Sequence, residues 1–353
     1  MELSKHELQS VVHATENLAT TIMSHVIDTR SVWPEIVVPH FELQGMGLSQ
    51  LARVQQLTIV PLVDIDHLEQ WEEFALENHG WIQEGVNARH GNESAPVEDI
   101  TTFVYRLDGN SVVPQTALGI DGKYAPLWQQ YPAPSDDSTS VINMDLFSHP
   151  SFEKHFGTLR KTNTPVLSEI ISLDFLFLRD QKSEGGLRKH TFLMQPLYSG
   201  FSSPQTLVGF IVGIFSWEDM FLHMSRPNEK KVSIVLHSTC GGIVTYETDG
   251  YETILVSMTD AHDRAFDHLE VSEEMTGVLD EASSQGVDQC TYGVSIYPTS
   301  GFRDQFFSGA PFLYAVLAVL LFGFTTGTYI LNGRYTLGLL TSPEPTNSQL
   351  FLP

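Results

Sequence analysis

The chain has 353 residues, of which 19 are Lys or Arg and 43 are Asp or Glu, giving a formal net charge of −24. That balance excludes nucleic acid or an anionic lipid surface as a partner held through a basic face. A hydrophobic content of 42% supplies a folded core, and the chain ahead of its last apolar stretch is long enough for one large or two small domains.

Near the N-terminus Leu8, Val11, Thr15, Leu18, Ile22 and His25 recur at alternating steps of three and four, with no proline before Pro34. The spacing predicts a long stalk helix over residues 1–31, with the seam of an amphipathic or coiled helix. The same stretch, "MELSKHELQSVVHATENL", has no apolar h-region. Taken literally, this describes a tail-anchored protein with its body in the cytosol. A strand-like run "EIVVPHFEL", a helix start at "LSQLARVQ" and the apolar "LTIVPLV" follow. From Asp66, "DHLEQWEEFALENHGWIQEGV" reads as helix, with Leu68, Trp71, Phe74 and Ala75 on one side. Asn92-Glu93-Ser94 is an N-glycosylation sequon, a match close to chance in a chain of this length.

After Ile100 the pattern turns to β. "TTFVYRL", "VINMDLF", "VLSEIISL", "HTFLMQPLY" and "LVGFIVGIF" are β-branched and aromatic, bounded by Gly, Pro, Ser and Asp. A helix around "PSFEKHFGTLRKT" interrupts them, with Ser148 as the expected cap and Pro150 in the first turn. "SGFSSPQT" reads as the loop of an antiparallel hairpin. A smaller β set runs through "VSIVLHS", "GIVTYET", "ETILVSM" and "YGVSIYP". Cys240 and Cys290 are the two cysteines, each beside a strand of this set. A disulfide in an oxidising compartment and two separate buried thiols in a reducing one are both compatible with that spacing.

"PFLYAVLAVLLFGFTTGTYIL", Pro311 to Leu331, carries no charge, and a helix of that length crosses a hydrocarbon core about 30 Å thick. A buried core helix would be shorter and keep one polar face. Tyr314 and Tyr329 lie near its ends, and Arg334 follows. Gly323 and Gly327 form a GxxxG pair that lets two such helices approach closely. The expected fold is α+β: the stalk helix, an antiparallel-sheet lobe over 32–217, a smaller β-rich lobe over 218–310, a transmembrane helix over 311–333 and a short disordered tail over 334–353.

No HExxH, GxSxG, P-loop or GxGxxG is present, so the common signatures of metal hydrolysis, acyl transfer and nucleotide binding are missing. "DAHDRAFDHLE" gathers Asp260, His262, Asp263, Asp267, His268 and Glu270. His262, Asp263, Asp267 and His268 are weak candidates for a divalent ion, weighed against an ordinary acidic solvated loop. No metal and no cofactor is expected.

"SVWPEIVVPHFEL", "WEEFALENHGWIQEG" with "FVYRLDG", "YAPLWQQYPAP", "VINMDLFSHPSFEKHF", "PVLSEIISLDFLF", "LVGFIVGIFSW", "LHSTCGG" and "HDRAFDHLEV" together resemble the extracytoplasmic sensor region of algal receptor-type nucleotide cyclases. That region is similar to a CHASE domain. The resemblance runs from Val32 to about Gly333. It implies two PAS-like subdomains between two membrane spans, followed by a class III adenylate or guanylate cyclase domain. These 353 residues contain neither the first span nor a catalytic sequence, so the expected role is a non-enzymatic, membrane-anchored sensor, paired with a second copy and responsive to a small molecule. The expected location is a membrane, the plasma membrane in particular, with the body outside the cytosol. The alternative is a tail-anchored or adhesive protein with no ligand pocket.

A sensor needs a concave, mostly apolar pocket with a few polar groups. The resemblance puts it in the larger lobe, with Tyr124 and Trp128 of "YAPLW" as the expected wall and Phe103, Tyr105, Asp145 and Gln195 facing it. Ordinary core packing is the competing reading of the aromatics, and surface exposure that of the polar pair. Asp145 and Gln195 each interrupt an apolar run, where a polar group must find a partner or face a cavity.

Overall fold

In the computed structural model the described residues are 2–91, 100–108, 111–116, 119–134, 141–172, 189–224, 231–275, 290–302 and 310–340. They divide between two compact units, Met1–Thr299 and Ser300–Pro353.

The first unit opens with α1 (Glu2–Thr29) and α2 (Phe41–Ala52), then β1 (Gln56–Pro61), β2 (Val63–Asp64), α3 (Leu68–Glu77) and α4 (Trp81–His90). Next come β3 (Tyr105–Asp108), β4 (Ser111–Pro114), β5 (Lys123–Tyr124), β6 (Gln130–Tyr131), α5 (Pro150–Thr162) and β7 (Val166–Leu167). The long strands β8 (His190–Tyr198) and β9 (Leu207–Ser216) lead to α6 (Trp217–Met224). After them come β10 (Val232–Ser238), β11 (Ile243–Thr248), β12 (Thr253–Ser257), β13 (Val271–Glu274) and β14 (Tyr292–Pro298). The second unit contains α7 (Ala310–Leu340).

The mixed α+β architecture rests on two five-stranded sheets, ordered β6-β1-β9-β8-β7 and β12-β11-β10-β14-β13. Every pairing in both is antiparallel. In the first sheet β1 is buried at all six positions and β8 at eight of nine, because both faces are covered. Leu193, Leu197, Ile211 and Phe215 share one core cluster with Leu8, Val11, Leu18 and Ile22 of α1. Phe192, Met194, Phe210 and Val212 join Phe152, Phe156 and Leu159 of α5 in another. α1 can sit close because β9 offers Gly213 beneath it, where a Cβ would lie 3.3 Å from Thr15 Cγ2. The second sheet adds Leu236, Val244, Tyr246, Tyr292 and Val294 to the α1 cluster, so the two sheets share one core.

Several local expectations shift. "EIVVPHFEL" forms no strand, and its one pairing is an isolated bridge between Val32 and Glu35. The helical run after Asp66 breaks at Asn78–Gly80 into α3 and α4, with Trp71 and Ala75 buried on α3. "VINMDLF" makes isolated bridges and then a tight turn over Leu146–Ser148, because the Asp145 carboxylate accepts from Phe147 N at 3.2 Å and caps it. The cap of α5 is His149, whose Nδ1 accepts from Ser151 N, while the Ser148 hydroxyl donates to Asp145 O at 2.6 Å.

In the second unit, Phe312–Asn332 of α7 is long and apolar enough to cross a membrane. Its apolar side chains are exposed, among them Leu320, Phe322, Phe324 and Tyr329. Gly323 and Gly327 each leave open space where a Cβ would be.

Candidate functional site

The segment between α1 and α2 reads Val32-Trp33-Pro34-Glu35. It forms one wall of a cavity of about 300 Å³ whose other walls are Leu62, Asp64, His67, Gln70, Lys123 and Thr206–Val208. Several of these residues are placed by pairing in the first sheet or in the separate β2–β5 pair, and Gln70 by α3. Leu62 N donates to Val208 O at 2.9 Å, which joins the end of β1 to the start of β9. Asp64 and Lys123 are register partners of β2 and β5, and Lys123 Nζ donates to Asp64 Oδ1 at 2.5 Å. Gln70 Nε2 donates to Glu35 Oε1. Gly209 admits the Trp33 ring over β9, since a Cβ at that position would meet Val60 O at 2.7 Å and Trp33 Cζ3 at 3.4 Å. The indole N–H of Trp33 is buried without a hydrogen-bond partner. Apolar walls, two carboxylates and one ammonium make this a place for binding chemistry.

None of the six residues expected to bind a ligand lines this cavity. Trp128 is fully buried, ringed by Trp71, Phe74 and Trp81 at 5.3, 5.7 and 5.8 Å between ring centroids. Its Nε1 donates to Ile36 O at 2.7 Å. The ring therefore has its neighbours already, and Tyr124 belongs to the same cluster. Tyr105 is buried among the α5 cluster and Phe103 packs against it. Asp145 solves its desolvation locally, accepting from Ala125 N at 2.9 Å and Gln115 Nε2 at 2.8 Å as well as from Phe147 N. Burial nonetheless pushes its carboxyl above the usual range, against the lowering effect of those bonds. Gln195 is buried on β8 and its Oε1 has no partner. It shares the α1-facing side with Leu193 and Leu197.

The acidic cluster is a clasp across the outer face of the second sheet. The His262 ring stacks on Tyr297, with centroids 3.7 Å apart and planes 6° from parallel. Its two ring nitrogens meet Asp260 and Asp267, the latter at 2.8 Å. Burial lowers the imidazole pKa, but the two carboxylates outweigh it and the net shift is upward. In the imidazolium form both nitrogens donate to these carboxylates and no lone pair remains for a cation. Asp263 caps the following turn, its Oδ1 accepting from Ala265 N at 3.0 Å. Phe266 is buried beneath this segment, and Ser295 Oγ donates to Glu270 Oε1 at 2.8 Å.

Cys240 and Cys290 form a disulfide. His155 and Glu169 lie with Cys290 at metal-ligand spacing, but that sulfur is already bonded to Cys240, so the trio lacks a thiolate. His155 Nε2 instead donates to Glu169 Oε2, and Lys154 Nζ lies 3.6 Å from the same oxygen. Burial raises the Glu169 pKa, and the His155 bond with the nearby cations more than reverses it, to about 2. Beside this pair, Thr191 Oγ1 sits 3.1 Å from Tyr292 Oη and accepts from Trp217 Nε1 at 2.8 Å. Tyr292 also donates to Ser168 O, which ties β14 to the first sheet. The Asn92 sequon lies outside the described residues.

No protein-family model matches the chain, and no curated protein matches it.

Proposed function

We propose that the chain is the membrane-anchored, extracytoplasmic sensor region of a receptor, of the kind that precedes the catalytic domain in receptor-type nucleotide cyclases. The two antiparallel sheets stand for its PAS-like subdomains, and α7 is the helix that carries the signal across the membrane. The observation that carries the reading is the cavity walled by Trp33, Glu35, Asp64 and Lys123 in the larger lobe. The disulfide supports an oxidising surrounding for the body. A small molecule bound more tightly in one arrangement of the lobe shifts the population toward it. Two copies, brought together at Gly323 and Gly327, register the change. A second reading, an adhesive ectodomain, is favoured by the exposed apolar side chains Ile254, Val256 and Met258.

A thermal-shift screen of the full chain in detergent separates the two. Thr206→Trp fills the cavity from an exposed position whose mapped hydrogen bonds use only backbone atoms. Compounds that stabilise the parent chain and not the Thr206→Trp variant support the sensor. A screen with no compound sensitive to that substitution leaves the adhesive reading in place.

A further inference from the structure

We propose that the cavity selects a small organic cation, an amine carrying an aromatic or branched apolar group; this rests on the sensor reading. The lining carries two carboxylates, Glu35 and Asp64, against one ammonium, Lys123, and one imidazole, His67. Asp64 is already neutralised by Lys123. Glu35 is not: its partner is the neutral amide of Gln70, and among the described residues no cation pairs with it. An uncompensated carboxylate in the same wall as an indole ring offers a cation both a charge-assisted hydrogen bond and a π face. An anion entering the same space would face Glu35 and would have to take Lys123 from Asp64. Asp66 and Glu69 stand beside His67 and Gln70 in sequence, adding to the negative field at the cavity. The volume of about 300 Å³ is at the small end for ligand pockets, which suits a single ring with a short side chain.

The experiment compares two probes of similar shape and opposite charge, phenethylammonium and 3-phenylpropionate, by calorimetric titration of the full chain in detergent. Phenethylammonium is expected to bind and 3-phenylpropionate to give no heat. Glu35→Gln keeps an acceptor for Gln70, so the melting temperature should hold while phenethylammonium affinity falls roughly tenfold, the cost of about one charge-assisted contact. Equal binding of the two probes, no binding of the amine, or an unchanged affinity in Glu35→Gln would overturn the charge preference. The sensor reading fails separately: a neutral or anionic compound that binds the parent chain and not Thr206→Trp, with phenethylammonium inert, removes the cation and keeps the sensor. The absence of any compound, cations included, that binds the parent chain and not Thr206→Trp removes both.

Discussion

The two five-stranded sheets bury their strands in different ways. In the first, β1, β8 and β9 are closed in on both faces, by α1 on one side and by α5 with its aromatic neighbours on the other. In the second, one face joins the shared core while the other is covered by the segment from Asp260 to Glu270, where polar contacts do much of the holding. The first sheet is stabilised mainly by apolar area. The second combines a smaller core with a covalent tie and a charged clasp. The cavity lies at the margin of the first sheet, where the α1–α2 connection and short strands replace a covering helix.

The largest break in this contrast comes from Trp128→Ala. A fully buried indole packed on three other rings should cost about 3–5 kcal/mol when truncated, read as a fall in denaturant midpoint at unchanged slope. A loss below about 1 kcal/mol would mean that the Trp71–Trp81–Trp128 cluster is not the solid core described. For the second sheet, replacing Cys240 and Cys290 together by Ala opens a link across a sequence separation of 50 residues, with an expected cost of about 2–4 kcal/mol. A variant as stable as the parent, or a parent indifferent to reductant, would remove the covalent tie from the comparison.

Much of this architecture was legible in the sequence, and the cavity was not. β8 and β9 announce themselves as continuous apolar runs because both their faces are covered. Four of the five strands of the second sheet could be read from short β-rich runs, whereas the charged β13 could not, and the cysteines beside those runs turned out to be bonded. Trp128 and Asp145 show where reading stops. An aromatic residue that lines a cavity and one that fills a core have the same local pattern, and the rings around Trp128 come from α3 and α4, far away in sequence. Asp145 had two ways to satisfy its carboxylate, and it found backbone N–H groups of its own turn and of Ala125. The cavity is assembled from segments separated along the chain. Its one local signal was Glu35 directly after Trp33-Pro34, in a run that forms no strand.

A smaller effect tests the cover over the first sheet. At Gly213 an added methyl would meet Thr15 Cγ2 at 3.3 Å, Leu57 Cδ2 at 3.5 Å and Val54 Cγ1 at 3.6 Å. Gly213→Leu should therefore push α1 outward and cost about 1–3 kcal/mol, seen as a lowered melting temperature and faster amide exchange in α1. Gly213→Leu with parental stability would show that α1 does not rest on β9 at this point.

The smallest effect is one of sign, and it distinguishes the sheets by pH. Glu169, near the first sheet, has a folded pKa depressed to about 2 from 4.5. Its contribution is complete above about pH 4.5 and is lost as pH falls toward 2. His262, on the second sheet, is shifted the other way, upward from 6.5. Its contribution is complete below about pH 6.5 and is lost as pH rises through the raised value, when the imidazolium gives up a proton and one carboxylate loses its donor. Chemical unfolding from pH 3 to pH 9 should thus show an acid slope that Glu169→Gln flattens and an alkaline slope that His262→Gln flattens. At pH 6 the His262→Gln change should cost no more than about 1 kcal/mol, since Asp260 and Asp267 are well exposed and their pairing is screened. An alkaline slope that survives His262→Gln unchanged would mean that another group titrates there and that the charge of His262 does not hold the clasp on Tyr297.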